Sequence, residues 1–543
     1  MNALRTLMMV LVLVGAAGSA ATATVEMANL VPADAKAVIE GANGAELRQA
    51  LLDSRFWKAL EQTQGVKEWR ASPRHLEMRE RVDQFLATLK MDEKTALQSY
   101  LGGRSAVVLL PSDQKKPWGV ILTEATNEHA KQLVEAAGGQ EVNRHRGVAI
   151  YEVQKDNRLD RMAFAGDVFI ATSAGGDALE RVLDVIVAGG PSVPASPSLG
   201  AEGHFAKAVE GLPAGWSVRA YAAETPPRKS PGAVAMYLKG TSGLHFEWRI
   251  VSGEGDISMT APVELTGPRA IPDNAVVTVA SSFHPAAIWK TVKAKLGAEG
   301  EAGAVKLSRS EMFIRGWFPG QTMDSIVTAF GPEAAMALLK GDQGGAPSLL
   351  GMVKIADRGE TAAKAFRDGL AAKAMLLMAL AAQNENAPKI SVREEAYGNA
   401  QLVIIEAPGV LDKFVGDWAK DIALTVAVTN QWVIIGTTPA GVKATIDTAS
   451  AANGAGSLAA AMANDGVPVP TKPLTRWGVI KPASGADIVL SLAERVAGTE
   501  RVEQVKKLTN LAEVMKLIKR MVWTRVDEPT VISGQADIQA IDE

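Results

Sequence analysis

Apolar and polar positions along this chain follow two periods. Val168–Thr172 (VFIAT) and Phe246–Val251 (FEWRIV) alternate with period two, as half-buried strands do. Ala106–Leu110 (AVVLL) and Leu402–Ala407 (LVIIEA) are apolar runs, broken in the second only by Glu406, as fully buried strands are. Polar turns at Gly166-Asp167 and Thr429-Asn430 join such strands closely enough to demand antiparallel hairpins. Helical periodicity governs Gln64 to Lys90, Glu360 to about Asn386, Asp412 to Lys420 and Ala486 to Arg520. The pattern predicts an α+β protein, with helices packed on mostly antiparallel sheets. Its most apolar helical segment, Ala374–Ala382 (AMLLMALAA), is bounded by Lys373 and Gln383 and is too short to cross a bilayer. It reads as a buried core helix.

The same order of elements occurs twice. Val31-Pro32-Ala33-Asp34 opens a strand and helix, and Ile271-Pro272-Asp273-Asn274 opens another. The segment from Met91 parallels that from Met323, Gly147–Val153 parallels Ala400–Ala407, and the segment from Met162 parallels that from Ala423. The strands holding Trp216 and Trp477 then correspond, and Tyr237 pairs with Trp523 in the closing hairpins. Ordered self-similarity of this kind predicts two tandem, divergent copies of one module, 24–270 and 271–543, joined near Thr266–Ala270. The copies differ in helical insertions, which belong at the surface.

Ahead of the first copy, Arg5 and the apolar run Leu7–Val14 lead into Gly15–Ala23 (GAAGSAATA), where Ser19–Ala21 and Ala21–Ala23 both satisfy the small-x-small rule. Residues 1–23 are read as a signal peptide. The 543 residues include no Cys, which excludes disulfides, thiolate metal sites and a lipoprotein anchor. Net charge is −3, so no general basic field attracts nucleic acid. The expectation is an exported protein, periplasmic or extracellular, without a transmembrane span in its mature part.

Pro32, Ala33, Asp34 and Ala35, then Ser54 and Trp57, then Gly102 and Gly103 form a P-A-D-A turn, an S-x-x-W helix and a glycine-ended helix. In this order the chain resembles a group of exported bacterial proteins of unknown function built from such modules. The resemblance implies location and fold, and no reaction.

Candidate chemistry is sparse. Ser112-Asp113-Gln114-Lys115 spells S-x-x-K without the S-D-N and K-T-G that accompany it in penicillin-recognising enzymes, and its counterpart Lys340-Gly341-Asp342-Gln343 has no Ser; it reads as a turn. His75, His129, His145, His204, His245 and His284 lack metal-ligand spacing, and no Gly-rich phosphate loop occurs. Gly175-Gly176-Asp177 and Thr438–Gly441 read as helix starts. Asp156 and Asp160 are a carboxylate pair that only folding could bring to bear. Lys67, Arg70, Arg74, His75, Arg79 and Arg81 are interleaved with acids, so i,i+4 pairing outweighs an anionic-polymer site. No catalytic, cofactor or metal residue is expected. Trp69, Arg70, Arg74, Trp317 and Trp418 fall in insertions or unmatched segments and are the expected contact surface.

Three readings stand. The leading one is a non-catalytic binding or scaffold protein of the bacterial envelope, holding another envelope protein or a ligand at the seam of its modules. A periplasmic hydrolase with an unrecognised site is the second. A carrier of an apolar ligand, with a dry cavity flanked by Ala374–Ala382, is the third.

Overall fold

The structure, a computed structural model, describes residues 26–112, 117–155, 158–172, 176–187, 197–225, 230–239, 243–251, 261–318, 320–356, 359–383, 389–409, 416–496 and 502–541. The expected signal segment, the turn residues Asp113–Lys115, Gly175 and Asp156 lie outside them. The chain divides into two compact units, residues 1–256 with 529–543, and residues 257–528. The last segment thus lies with the first unit, whereas the sequence-based division places all of 271–543 in the second module.

In unit 1 the strands are β1 (Ala37–Gly41), β2 (Ser105–Leu110), β3 (Trp118–Glu124), β4 (Gln140–His145) and β5 (Val148–Lys155). They continue with β6 (Arg158–Ala165), β7 (Val168–Thr172), β8 (Val218–Thr225), β9 (Ser230–Lys239) and β10 (Gly243–Val251). Unit 2 holds β11 (Ala275–Ser282), β12 (Phe330–Leu339), β13 (Ser348–Ile355), β14 (Ser391–Tyr397) and β15 (Ala400–Glu406). To these it adds β16 (Leu424–Val428), β17 (Trp432–Gly436), β18 (Arg476–Ile480) and β19 (Ile518–Asp527). A last strand, β20 (Val531–Ala540), belongs to unit 1.

Every pairing described within the units is antiparallel, consistent with the expected α+β class and its mostly antiparallel sheets. Unit 1 has the strand order β4-β5-β6-β7-β3-β2-β1-β8-β9-β10-β20. Unit 2 has β14-β15-β16-β17-β13-β12-β11-β18-β19. Taken by rank in each unit, the first nine strands follow one and the same order.

Backbone hydrogen bonds repeat as well. Leu199 N donates to Val31 O at 2.7 Å, and Leu458 N to Ile271 O at 2.8 Å. Ala42 N donates to Ser217 O at 3.1 Å, and Ser282 N to Thr475 O at 2.8 Å. Ser217 N then donates to Met236 O, and Thr475 N to Arg525 O. Ser217 therefore matches Thr475, and counting along each strand matches Arg219, not Trp216, with Trp477. Likewise Val234, not Tyr237, matches Trp523. The expected aromatic equivalences were drawn from residue type, and the ladder overrules them.

Each core is built on inward strand positions and a helix packed against them. In unit 1, Val38, Val108, Val120, Leu122 and Ile170 meet Leu179, Val182 and Leu183 of the helix Ala178–Ile186. In unit 2, Leu350, Leu402, Ile404 and Ile434 meet Val442 and Ile446 of the helix Pro439–Ser450. That helix starts where Thr438 accepts a hydrogen bond from Gly441 N and Pro439 presets the first turn. Gly176 comes two residues before the equivalent helix of unit 1, which begins without a side-chain cap at Asp177.

Candidate functional site

A polar cleft of about 650 Å³ opens in unit 2, and it is built from a buried carboxylate outward. Glu333 on β12 is fully buried. Its Oε2 accepts from Thr266 N at 2.9 Å and from Thr266 Oγ1 at 2.8 Å, and its Oε1 accepts from Gly267 N at 2.6 Å. A buried carboxylate is tolerable only when its oxygens are satisfied in this way, and here it fixes the turn before Gly267–Arg269. Lys354, near the end of β13, donates to Thr266 Oγ1 at 3.0 Å, with its Nζ 5.8 Å from the centre of the Trp432 ring. Thr266, Lys354 and Trp432 line the cleft with Arg269, Glu360, Asn430 and Gln431. Lys364, bonded to Glu360, holds that carboxyl below its ordinary value.

The cleft thus presents two cations and a hydroxyl held between an ammonium and a carboxylate. Thr266, Glu333 and Lys354 are 67 and 88 residues apart. No local spacing could have signalled them. Among the described residues no group of three or more His, Asp or Glu is placed to hold a metal ion.

The residues expected to form a contact surface are divided by the structure. Trp69 is 52% exposed near the end of the helix Gln64–Ala71, its ring 4.2 Å from that of His75. Arg70 is exposed and ion-paired with Glu61, and Arg74 is exposed in the first turn of the helix Pro73–Leu89. On the same helix Arg79 pairs with Asp83 and Arg81 with Glu77, which neutralises much of the basic cluster. Trp317 ends the helix Glu301–Trp317, and its side chain lies outside the described residues. Trp418 is no surface residue: it is 7% exposed, and its indole Nε1 donates to Gly344 O at 3.1 Å. A segment unmatched between the two halves need not be a surface one: the indole is large enough to anchor it in the core.

The segment expected to be buried is the one left exposed. On the helix Glu360–Ala381, Ala362, Ala363, Gly369, Ala371 and Ala374 are buried. Beyond them Leu376, Leu377 and Leu380 are 59%, 57% and 53% exposed, and Met375 and Met378 are exposed as well. Apolarity all round a helix ordinarily means burial on all sides, and here it means a projecting end. Phe366 and Phe318 stack with ring centres 5.3 Å apart and tie the root of this helix to the end of Glu301–Trp317. Trp289 Nε1 and Lys293 Nζ, both on the helix Pro285–Ala298, donate to Asp324 at 2.8 Å each. Met312, Val305 and Val292 on these neighbouring helices are exposed as well.

Comparison of the chain with family models, with curated proteins and with solved structures gave no match. Among the described residues no helix is long and apolar enough to cross a membrane.

Proposed function

We propose that this is an exported, non-catalytic binding protein of the bacterial envelope, made of two tandem copies of one α+β module, with its contact carried by the helices of the second. Duplication is supported by the common strand order and by the paired backbone bonds at Val31 and Ile271. Export is supported by Arg5 and the Leu7–Val14 run. The observation that carries the binding role is the exposed apolar end of Glu360–Ala381, since large contiguous apolar surface marks an interaction site.

A photo-crosslinking residue at Leu377, in cells making the full chain, tests this reading. An adduct forming from position 377 and not from Val142, an exposed residue of β4, is the expected result; no adduct from 377 overturns the reading. The apolar-carrier alternative loses its wall, because the side chains meant to line a dry cavity point to solvent. The hydrolase alternative has one observation in its favour, the Thr266 hydroxyl between Lys354 and Glu333 in the cleft. It requires Thr266→Val to abolish hydrolysis of a model ester without unfolding the chain.

A further inference from the structure

We propose that the end of the helix Glu360–Ala381 sinks into the surface of an anionic lipid bilayer, an inference that rests on the contact role given to this helix above. The direction of exposure comes first. Met375, Leu376, Leu377 and Met378 follow one another at about 100° steps around the axis, so together they face every side. A flat or grooved protein partner covers one stripe of a helix. A fluid hydrocarbon medium covers all of it.

Depth comes second. From Met375 to Ala381 the helix rises roughly 10 Å, which matches the depth to which interfacial helices enter the boundary of headgroups and acyl chains. The segment is far too short to reach across a core of about 30 Å. Insertion from one side is the geometry it permits.

Charge is the third observation, and it selects the lipid. The helices Pro285–Ala298, Glu301–Trp317 and Glu360–Ala381 carry nine Lys and Arg against four Asp and Glu; Glu299 and Asp324, which pair with Lys306 and Lys293, bring the acids to six, still an excess of three cations in a chain with 57 basic and 60 acidic residues overall. This part of the molecule is therefore a cationic and apolar exception. Lys373 lies two residues before Met375, at the base of the exposed end. A second copy of the chain would set like charges against one another, whereas anionic headgroups complement them.

Because the chain has no Cys, Leu377→Cys carries a single environment-sensitive dye on the full-length protein. Its emission then reports on this helix end alone, whatever other segment touches a vesicle. With vesicles of phosphatidylcholine containing roughly a third phosphatidylglycerol, the emission should shift to the blue and escape quenching by aqueous iodide. With phosphatidylcholine alone the response should be several-fold weaker. The same dye at Val142→Cys should stay in water. Adding Leu376→Glu and Leu380→Glu to the labelled chain should weaken the anionic-vesicle response about tenfold or more, with an unchanged circular dichroism spectrum.

A dye at 377 that remains open to iodide on anionic vesicles overturns the proposal, as does a response indifferent to the two glutamates. Crosslinking from 377 in cells separates this failure from that of the broader reading. Lipid adducts support both. Protein adducts without vesicle insertion overturn the lipid proposal and leave the binding role standing. Adducts to neither overturn both.

Discussion

Glu40 and Arg219 face each other across β1 and β8, while their counterparts Ala280 and Trp477 face each other across β11 and β18. All four are buried, so the two units fill one position with an ion pair in one case and with an indole beside a methyl in the other. Arg219 Nε and Nη2 both donate to Glu40 Oε2, at 2.9 and 2.6 Å. Burial pushes the Glu40 carboxyl above its ordinary value, against the pull of Arg219. Removing one partner of a buried pair leaves an uncompensated charge, so Arg219→Ala should cost about 3–5 kcal/mol in urea unfolding. Glu40→Ala with Arg219→Trp, the solution unit 2 already uses, should stay within roughly 1–2 kcal/mol of the parent. A carboxyl whose folded pKa is raised stabilises most below its unfolded value of 4.5 and less as pH rises through the folded value. The deficit of Arg219→Ala should therefore shrink toward acid, a trend that unfolding at a series of pH values would reveal. At Glu333 every oxygen is occupied by a donor of the Thr266 turn. Glu333→Ala strands these donors and should cost roughly 2–4 kcal/mol, with the loss read in the unfolding of unit 2.

Helix Pro285–Ala298 is joined to helix Met323–Ala329 through Asp324, the one carboxylate of the latter, and this joint has its own pH dependence. The hydrogen bond from Lys293, and after it that from Trp289, holds the Asp324 carboxyl below its usual 3.8. A carboxyl with a depressed folded pKa stabilises fully above its unfolded value and loses that contribution as pH falls through the folded one. Trp289 fluorescence should thus change below about pH 4 in the parent and show no such step in Asp324→Asn. Elements of this kind differ in how far sequence exposes them. The strand runs, the capped helix at Thr438 and the hairpin turns follow local rules of period, capping and turn residue, and they were legible. The end of Glu360–Ala381 was not, because a wholly apolar helix carries no phase from which to tell a core from a projection. The Thr266, Glu333 and Lys354 cluster was invisible for a different reason, being assembled by strand pairing across segments with no sequence relation. Aromatic identity misplaces the register of Trp477, because it is a weaker guide than the hydrogen-bond ladder. Even Gly478, opposite Trp523, is there for space: a Cβ would lie 2.1 Å from the indole, where unit 1 has Ala220 opposite Val234.

For the molecule as a whole, the decisive pairing is that of β10 with β20, which runs in unbroken register from Gly243 with Gln539 to Val251 with Val531. It gives the sheet of unit 1 its last strand from residues that follow all of unit 2. His245 reinforces it, with Nδ1 2.9 Å from Asp537 Oδ1 and Nε2 3.0 Å from Glu247 Oε1. Deleting 529–543 would uncover the edge of β10, so that variant should aggregate and lose protease resistance in unit 1 before unit 2, as size-exclusion and limited proteolysis would show. The same pairing also sets a schedule. A chain that emerges from its amino end, whether from a ribosome or through a membrane pore, can complete unit 2 while unit 1 still lacks a strand held nearly 300 residues away. The first unit to appear is the last to close, and until then its open edge is what a holding chaperone would meet.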